Sequence, residues 1–489
     1  SLSVSYEKLG NIQLRLGNTQ AALTHYQTSL ELRKKLSLQD PDNTGYQRDL
    51  SVSYNKLGDI QLRLGNTQAA LTHYQTSLEL RKKLSQQDPD NTGVQRSLSV
   101  SYEKLGNIQL RLGNTQAALT HYQASFDIFK KLSLQDPDNT GVQRGLSVSY
   151  SKLGNIQLRL GDTQTALTHY QTSLELHKKL SLQDPDNTGY QRDLSVSYNK
   201  LGNIQLRLGN TQVALTHYQA SFDIFKKLSQ QDPDNTGYQR SLSVSYNKLG
   251  DIQLRLGDSQ VALTHYQASL ELDKKLSLQD PDNTGYQRDL SVSYNKLGDI
   301  QRRLGETQAA LTHYQASLDL RKKLSLQAPA NSQYQQDLIY SYDKIARAFS
   351  ALEHYQKAIY YKKQIIEFSA ENSDDAINAL GSIGWYQLLS GDFKDARASS
   401  LKAYTQKPTS FAWGINLAHT YWLHQKDEQR AKAQFLEVLP KIKDNEYFQQ
   451  GPKADFKIFA EKGWCPQDGL CQKLEKWLDV EWQKELKSR

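Results

Sequence analysis

Methionine is absent from this 489-residue chain, and cysteine is scarce, with only Cys465 and Cys471, six positions apart. Two cysteines cannot build a disulfide framework, and they supply too few ligands for a structural zinc site. We therefore expect both side chains to pack as small apolar groups inside a terminal helical cap, and we expect a reducing, cytoplasmic setting.

Long apolar runs are missing as well, since hydrophobic residues make up 37% of the chain and the mean hydropathy is -0.70. No stretch approaches the roughly 18 apolar residues of a membrane span, so the sequence predicts no membrane partner. The net charge of +8 comes largely from one basic cluster copied many times, as in Arg33-Lys34-Lys35. A nucleic-acid-binding protein usually concentrates its basic residues on one face, so this even spread argues against nucleic acid.

Catalytic and metal-binding motifs are also missing. There is no glycine-rich phosphate loop, Gly-x-Ser-x-Gly elbow or His-Glu-x-x-His helix, so we expect no enzyme activity and no cofactor. One histidine recurs in each repeat, at His25, His73, His121, His169, His217, His265 and His313. Successive copies should lie about 18–20 Å apart, too far to share a metal ion. The loop 40–45 resembles the start of a calcium loop, but Ser51 stands where a bidentate Glu is required, so we expect no metal site.

What the sequence does contain is one unit copied seven times. The string Ser-Val-Ser-Tyr recurs every 48 residues and begins at Ser3, Ser51, Ser99, Ser147, Ser195, Ser243 and Ser291. A decayed copy begins at Ile339. A fixed period of this length indicates a supersecondary unit that buries its apolar face on its neighbours. Because the chain opens in the middle of this pattern, we expect it to be part of a longer protein.

Each unit is predicted to form two helices. Apolar residues recur with the i, i+3, i+4, i+7 rhythm of a helix with one buried stripe, and nothing alternates as a β-strand would. The segment 17–19, Gly-Asn-Thr, ends the first helix with a left-handed glycine and starts the second with an N-cap side chain. The segment 40–45 adds a helix-ending proline and capping Asp and Asn residues. In the second repeat, the helices should therefore cover about 44–64 and 66–86.

The composition changes after about residue 338, because all six tryptophans and both cysteines lie beyond it. We therefore predict seven near-identical 48-residue repeats over 1–338, divergent repeats over 339–440 and a C-terminal helical cap over 441–489. The predicted fold class is all-α.

The repeat resembles the tetratricopeptide family. The family pattern of an aromatic residue, Leu-Gly, Ala and a later aromatic residue occurs as Tyr6, Leu9-Gly10, Ala22 and Tyr26 and recurs in every copy. The resemblance implies a right-handed superhelical α-solenoid of tandem hairpins. The family's closing proline is replaced by Lys34, so the second helix should continue beyond the usual length. Long, near-identical units of this kind are similar to those of bacterial multidomain proteins, in which the array acts as a sensing arm.

The family resemblance further implies a concave groove lined by one face of the first helices. In this chain that face has acidic or amide side chains and then an arginine, and neighbouring members of the set are four residues apart. Amides can bind an extended peptide backbone, and arginine can bind carboxylates. The alternative is a solvated face of weak acid–arginine pairs. The candidate residues are Asn55, Asp59, Arg63, Glu103, Asn107, Arg111, Asn155, Arg159, Asn199, Asn203, Arg207, Asn247, Asp251, Arg255, Asn295, Asp299 and Arg303.

A second candidate is a position on the second helix that varies among otherwise similar repeats. It is occupied by Arg33, Arg81, Phe129, His177, Phe225, Asp273 and Arg321. We expect Phe129 and Phe225 to be exposed, where they could form apolar patches for a partner. The alternative is drift at a position where substitution is harmless.

These patterns favour a non-enzymatic scaffold or ligand-sensing arm that binds a protein or extended peptide. The alternative function is a structural protein that self-associates by stacking end to end. Helical-repeat RNA recognition is a third reading, but it requires residues that differ from unit to unit, whereas the lysine at Lys8, Lys56 and Lys104 simply repeats.

Overall fold

The 48-residue unit folds as a helical hairpin in the computed structural model, which describes residues 2–465 and 469–488. These residues form helices and connecting turns, and no β-strand occurs among them. The predicted all-α fold of consecutive hairpins is confirmed. Within the same ranges, no helix is both long and apolar enough to cross a membrane.

The chain divides into two compact units, which meet in sequence at Tyr238 and Gln239. The first contains α1 (Leu2–Arg15), α2 (Thr19–Gln39), α3 (Thr44–Arg63), α4 (Thr67–Gln87), α5 (Thr92–Arg111), α6 (Thr115–Gln135), α7 (Thr140–Arg159), α8 (Thr163–Gln183), α9 (Thr188–Arg207) and α10 (Thr211–Gln231). The remaining repeat helices are α11 (Thr236–Arg255), α12 (Ser259–Gln279), α13 (Thr284–Arg303) and α14 (Thr307–Gln327).

The turns within and between hairpins follow from a few residues. Gly65 ends α3 with φ of +84°, a conformation that glycine adopts without steric cost. Asn43 begins α3, and its side chain accepts a hydrogen bond from the Tyr46 N–H at 3.1 Å. These features place the helix ends within about one residue of the expected boundaries.

The predicted side-chain cap of the second helix was wrong for the repeats that carry asparagine there. The Asn66 amide donates to Gln61 Oε1 at 2.8 Å and makes no cap hydrogen bond. The Asp162 side chain, which has no N–H to donate, instead accepts a hydrogen bond from the Thr165 backbone N–H at 3.0 Å. A preceding glutamine therefore diverts the asparagine side chain from capping, and an aspartate at the same position restores the cap.

Each hairpin closes around a contact between glycine and tyrosine. Gly154 on α7 faces the buried Tyr170 ring of α8, and a Cβ added at Gly154 would lie 2.6 Å from Tyr170 Cε1. Ala166, one turn before the tyrosine, is fully buried. The small residues therefore let the paired helices approach closely, as the sequence pattern predicted.

Successive hairpins share apolar clusters. Leu30 of α2 packs with Leu50, Leu57 and Ile60 of α3, and the later hairpins of the same unit repeat this arrangement. The second helix of a hairpin thus contacts both its own first helix and the first helix of the next hairpin. Within a unit, each hairpin is stabilised by the one beside it.

The divergent C-terminal region contains shorter helices. They are α15 (Ser332–Ala351), α16 (Tyr355–Phe368), α17 (Asp374–Leu389), α18 (Phe393–Gln406), α19 (Phe411–Gln425), α20 (Glu428–Val438), α21 (Asn445–Phe448), α22 (Ala454–Glu461) and α23 (Leu470–Ser488). Trp422 and Trp482 are fully buried in one aromatic-rich core of this region. Aromatic burial therefore stabilises the end of the chain.

The two cysteines form a disulfide, so the expectation that they are merely packed apolar groups was wrong. Cys465 follows α22 and Cys471 lies in the first turn of α23, and their Cα atoms are 5.5 Å apart. The sequence separation of six positions did not reveal that the two side chains meet. The expectation of a reducing compartment, which rested on unpaired cysteines, loses that support.

Replacing Gly154 with valine should destabilise the fourth hairpin, because the new side chain overlaps the Tyr170 ring. Overpacking of a buried site costs about 1–3 kcal/mol, which exceeds the smaller gain in helix propensity. Thermal unfolding followed by circular dichroism should show a lower midpoint. The exposed Thr168→Val substitution in the same hairpin is the control, and equal midpoints for the two variants would contradict this packing.

Candidate partner-binding face

The predicted groove residues occupy three layers on the first helices. Asn55 and Asn295 are buried, whereas Glu103, Asn199 and Asn247 are half-buried. The middle position is occupied by Asp59, Asn107, Asn155, Asn203, Asp251 and Asp299, all half-buried or exposed. The last position carries the exposed Arg63, Arg111, Arg159, Arg207, Arg255 and Arg303. We call the surface formed by the middle and last positions the first-helix face.

The middle position connects neighbouring hairpins. Tyr74 Oη donates to Asp59 Oδ1 at 2.6 Å, and Lys104 Nζ of the next repeat donates to the same oxygen at 2.5 Å. The Lys104 ammonium also lies 5.3 Å from the centroid of the Tyr74 ring. Asp59 therefore joins its own second helix to the following first helix.

The same three-residue bridge recurs in other repeats. Tyr170 Oη and Lys200 Nζ donate to Asn155 Oδ1 at 2.8 and 2.7 Å. In the second unit, Tyr314 Oη and Lys344 Nζ donate to Asp299 Oδ1 at 2.7 and 2.8 Å. Sequence reasoning missed the role of the lysine, although its recurrence at a fixed position was visible. Much of the amide and carboxylate ladder is thus already bound within the protein.

The choice of amide or carboxylate at the middle position changes the charge of the face. Burial, together with the nearby Lys152, lowers the pKa of Lys200 to about 8, because Asn155 offers no negative charge. Burial also acts to lower the pKa of Lys344, but the hydrogen bond and charge of Asp299 together with Tyr340 outweigh burial, so the pKa is raised. In the bridge of Lys200, Asn155 therefore accepts the hydrogen bond without neutralising the charge, whereas Asp299 neutralises Lys344.

The arginines of the last position are the free cations of this face. In the part of the chain that the structure describes, no acidic side chain forms an ion pair with Arg63, Arg111 or Arg159. Arg63 and Arg111 line one cavity of about 460 Å³ with Tyr26 and Asp59. The leucine after the arginine, as at Leu112, is partly exposed in several repeats. Each repeat thus presents a cation beside an apolar side chain.

The expectation of exposed phenylalanines on the second helix was wrong. Phe129 is only 5% exposed and Phe225 only 4% exposed. The Phe129 ring lies against Gly145 of the next first helix, where any Cβ would overlap it. The other members of the variable position are buried as well: Arg33, Arg81, His177, Asp273 and Arg321. The position lies between hairpins, so it supplies no apolar patch to a partner.

The polar members of this position have internal partners. Arg33 forms an ion pair with Glu7 at 2.7 Å. The two ring nitrogens of His177 each lie 2.7 Å from a serine hydroxyl, that of Ser147 and that of Ser197. Burial lowers the pKa of His177 to about 4, so this side chain is neutral at pH 7. Variation at this position therefore changes interior contacts rather than a binding surface.

The recurring histidine before the packed tyrosine has a packing environment. The His73 ring centroid lies 6.0 Å from that of Tyr54. Burial, reinforced by the nearby Lys34, lowers the pKa of His73. No group of three or more potential metal ligands occurs within residues 2–465 and 469–488.

These features define a tandem array of helical hairpins with an exposed, repeated cationic face. Tetratricopeptide repeat profiles match residues 1–83, 145–227, 244–276 and 293–328. The chain is a tetratricopeptide-repeat protein. The matching profiles describe repeats rather than a catalytic domain, and no curated protein sequence matches the chain.

Solved structures are similar to the chain at low sequence identity, and RapI supports the shared fold. The apo form of RapI is 12% identical, with a TM-score of 0.52 over 82% of this chain and 99% of RapI. BtubC from P. vanneervenii is 19% identical, with a TM-score of 0.43 over 53% of this chain and 92% of BtubC. A signal transduction ATPase with a tetratricopeptide repeat sensor, from Pyrococcus horikoshii, is 14% identical, with a TM-score of 0.45 over 75% of this chain and 52% of its own.

Replacing Asn155 with aspartate should raise the pKa of Lys200 from about 8, because a carboxylate replaces an uncharged amide in the bridge. In the wild type, the unfolded chain holds this proton more tightly than the folded chain. The group's contribution to stability therefore rises as the pH increases from about 8 toward the ordinary lysine value of 10.5, and the variant should lose this rise.

The measurement is the pH dependence of Lys200 acetylation, read by mass spectrometry. Lys344, which already pairs with Asp299, is the internal control and should titrate identically in both proteins. An unchanged Lys200 profile in the variant would show that the bridge does not set its charge.

Proposed function

We propose that the chain is a non-enzymatic scaffold or ligand-sensing arm whose first-helix face binds an acidic, extended segment of a partner protein. The observation that carries this proposal is a row of exposed arginines, one in each repeat, for which no ion pair occurs within the residues that the structure describes. Arginine binds carboxylates through two parallel N–H donors and remains charged at any physiological pH. The buried Asn55 and Asn295 are left out of this surface.

Apolar contacts should accompany the charge. Leu112, Leu160 and Leu208 follow the arginines directly and are each at least 38% exposed. A segment that alternates acidic and apolar side chains would satisfy both groups. Lys200, whose bridge partner Asn155 is uncharged, adds positive charge beside them. The favoured partner is therefore acidic and partly apolar.

The near-identity of the repeats constrains the partner further. Equal groups at equal intervals cannot read a complex sequence, so the ligand should itself be repetitive or extended. Weak contacts at successive repeats then add through effective concentration, because each bound segment holds the next one close to its site. A short segment that reaches one repeat should bind much more weakly than one that spans several.

The test changes four arginines of the first helices together to glutamate. They are Arg63, Arg111, Arg159 and Arg207. Fluorescence anisotropy should show a loss of at least about tenfold, or about 1.4 kcal/mol, in affinity for a peptide that repeats Glu-Glu-Leu-Glu. Circular dichroism should show unchanged helicity, because these side chains are exposed.

The control variant makes the same change of charge on the exposed side of the second helices in the same repeats. It replaces Lys83, Lys131, Lys179 and Lys227 with glutamate. This control should retain most of the affinity, because only general electrostatic attraction is lost. An equal loss in both variants would mean that net charge, rather than the first-helix face, determines binding.

A second candidate function is self-association through α1, and one observation favours it. Leu9 and Ile12 of α1 are 43% and 51% exposed, whereas their equivalents Leu57 and Ile60 are nearly fully buried against the preceding hairpin. A second copy of the chain could cover this apolar face. Ser1, which precedes it, lies outside the described residues.

Light scattering over a concentration series tests this candidate. Growth in mass with concentration, abolished by Leu9→Lys with Ile12→Lys, would support association through α1. The control is Leu182→Lys, which removes a leucine that is 80% exposed at the end of a second helix. A constant monomer mass at all concentrations would eliminate this candidate.

A further inference from the structure

Three residues of the second unit show how one aspartate serves two neighbouring arginines. Asp337 Oδ2 accepts from Arg288 Nε at 2.6 Å, and Asp337 Oδ1 accepts from Arg288 Nη2 at 3.4 Å. The buried Arg321 donates through Nη1 to the Asp337 carbonyl oxygen at 2.7 Å. Burial lowers the pKa of Arg321 to about 10, and the Asp337 carboxylate opposes that shift. One aspartate thus provides negative charge for two guanidinium groups.

The equivalent position in the first unit lacks that carboxylate. Five repeats earlier, the same places hold Arg48, Arg81 and Ser97. The Ser97 hydroxyl donates to the Gly93 carbonyl oxygen at 2.9 Å and carries no charge. Among the described residues, Arg48 forms an ion pair with its sequence neighbour Asp49 alone, with Arg48 Nε and Asp49 Oδ1 3.9 Å apart. The two arginines remain while the acid that pairs them is missing.

Arg81 is a buried cation without an acidic partner. Its side chain donates to Ser51 Oγ at 3.2 Å, to Ser101 Oγ at 3.1 Å and to the Ser97 carbonyl oxygen. In the preceding repeat, Arg33 has Glu7 at 2.7 Å, but Asn55 occupies the place of that glutamate beside Arg81. Burial lowers the pKa of Arg81 to about 10, so the group is still charged at pH 7. An unpaired charge in the interior is costly, and a bound anion would relieve that cost.

The missing carboxylate coincides with open space. Arg48, Arg81 and Ser97 line a cavity of about 480 Å³. A second cavity, of about 700 Å³, shares Arg81 and Ser97 and is also lined by Arg96. Arg96 lacks an acid in the next repeat too, because Gly145 stands at the position of Asp337. The two cavities therefore have four arginines along their walls, and of these Arg144 pairs with Asp193.

The acidic side chains on these walls are engaged elsewhere. Asp88 accepts a hydrogen bond from Asn91 Nδ2 at 2.8 Å. Glu103 accepts from Ser125 Oγ at 3.3 Å, and Asp193 pairs with Arg144 at 2.6 Å. None of them forms an ion pair with Arg81 within the residues that the structure describes. The cavity walls thus leave the Arg81 charge uncompensated.

We propose that Arg48, Arg81 and Arg96 form a binding site for a carboxylate of an external ligand, which takes the place that Asp337 occupies in the second unit. The ligand class follows from the internal counterpart, since there a carboxylate pairs with Arg288 and its charge acts on Arg321. The carboxylate could come from a small dicarboxylic acid or from an acidic side chain of a peptide. The site uses other residues than the first-helix face and stands independently of the proposed function.

The test restores the missing acid. Ser97→Asp should place a carboxylate between Arg48 and Arg81 and lower the affinity for an added carboxylate at least about tenfold. Succinate and a tetraglutamate peptide are the two probes, and binding is followed by calorimetry and by the shift in unfolding temperature. Without a probe, Ser97→Asp should itself raise the unfolding temperature. Thr120→Asp adds the same charge on the exposed side of α6 and is the control.

The reciprocal variant, Asp337→Ser, should create succinate or tetraglutamate binding in the second unit and keeps the test valid if Ser97→Asp folds poorly. Binding of succinate would identify a small-molecule source, and binding of tetraglutamate alone would identify an acidic peptide. The four-arginine variant of the first-helix face should keep this site intact, so the two proposals fail separately. Absence of binding by the wild type, or equal affinity in Ser97→Asp, would overturn the site.

Discussion

The contact between a first-helix glycine and a second-helix tyrosine determines the arrangement of the other functional side chains. Because Gly154 has no Cβ, the Tyr170 ring lies directly on the α7 backbone. That position brings the tyrosine hydroxyl to Asn155, whose oxygen also accepts from Lys200 of the next repeat. The packing within one hairpin is thereby coupled to the packing between hairpins. This coupling keeps the exposed arginines in register from one repeat to the next.

Differences among the repeats lie largely inside the stack and act through charge. At one interior position Arg33 has Glu7 as its counter-ion, whereas Phe129 packs against Gly145 and needs none. Arg81 is buried at the same position, and within the described residues no acidic side chain pairs with it. On the first-helix face, an exchange of asparagine for aspartate likewise decides whether a lysine is neutralised. Near-identical backbones can therefore carry different local charges without any change of fold.

The helices and their hairpin packing were predictable, because glycine and the Asp-Pro turn mark the ends of strongly periodic segments. The close approach at Gly10 and Ala22 followed from residue size alone. The burial of Phe129 could not be predicted in this way. The apolar stripe of a helix shows which side packs on its own hairpin partner, but it does not show which residues the next hairpin covers. The disulfide was missed because a spacing of six positions does not show whether the two cysteine side chains meet. The lysine bridge was missed because its partner lies 45 positions earlier, as in Lys200 and Asn155.

We propose that the exposed arginines bind the acidic groups of a partner. A structure of the chain with the repeating Glu-Glu-Leu-Glu peptide tests this proposal most directly. The peptide carboxylates should lie within about 4 Å of the guanidinium groups of Arg63, Arg111 and Arg159, and the leucine side chains of the peptide should contact Leu112 and Leu160. A peptide bound instead along the exposed lysines of the second helices, such as Lys83 and Lys131, would contradict it.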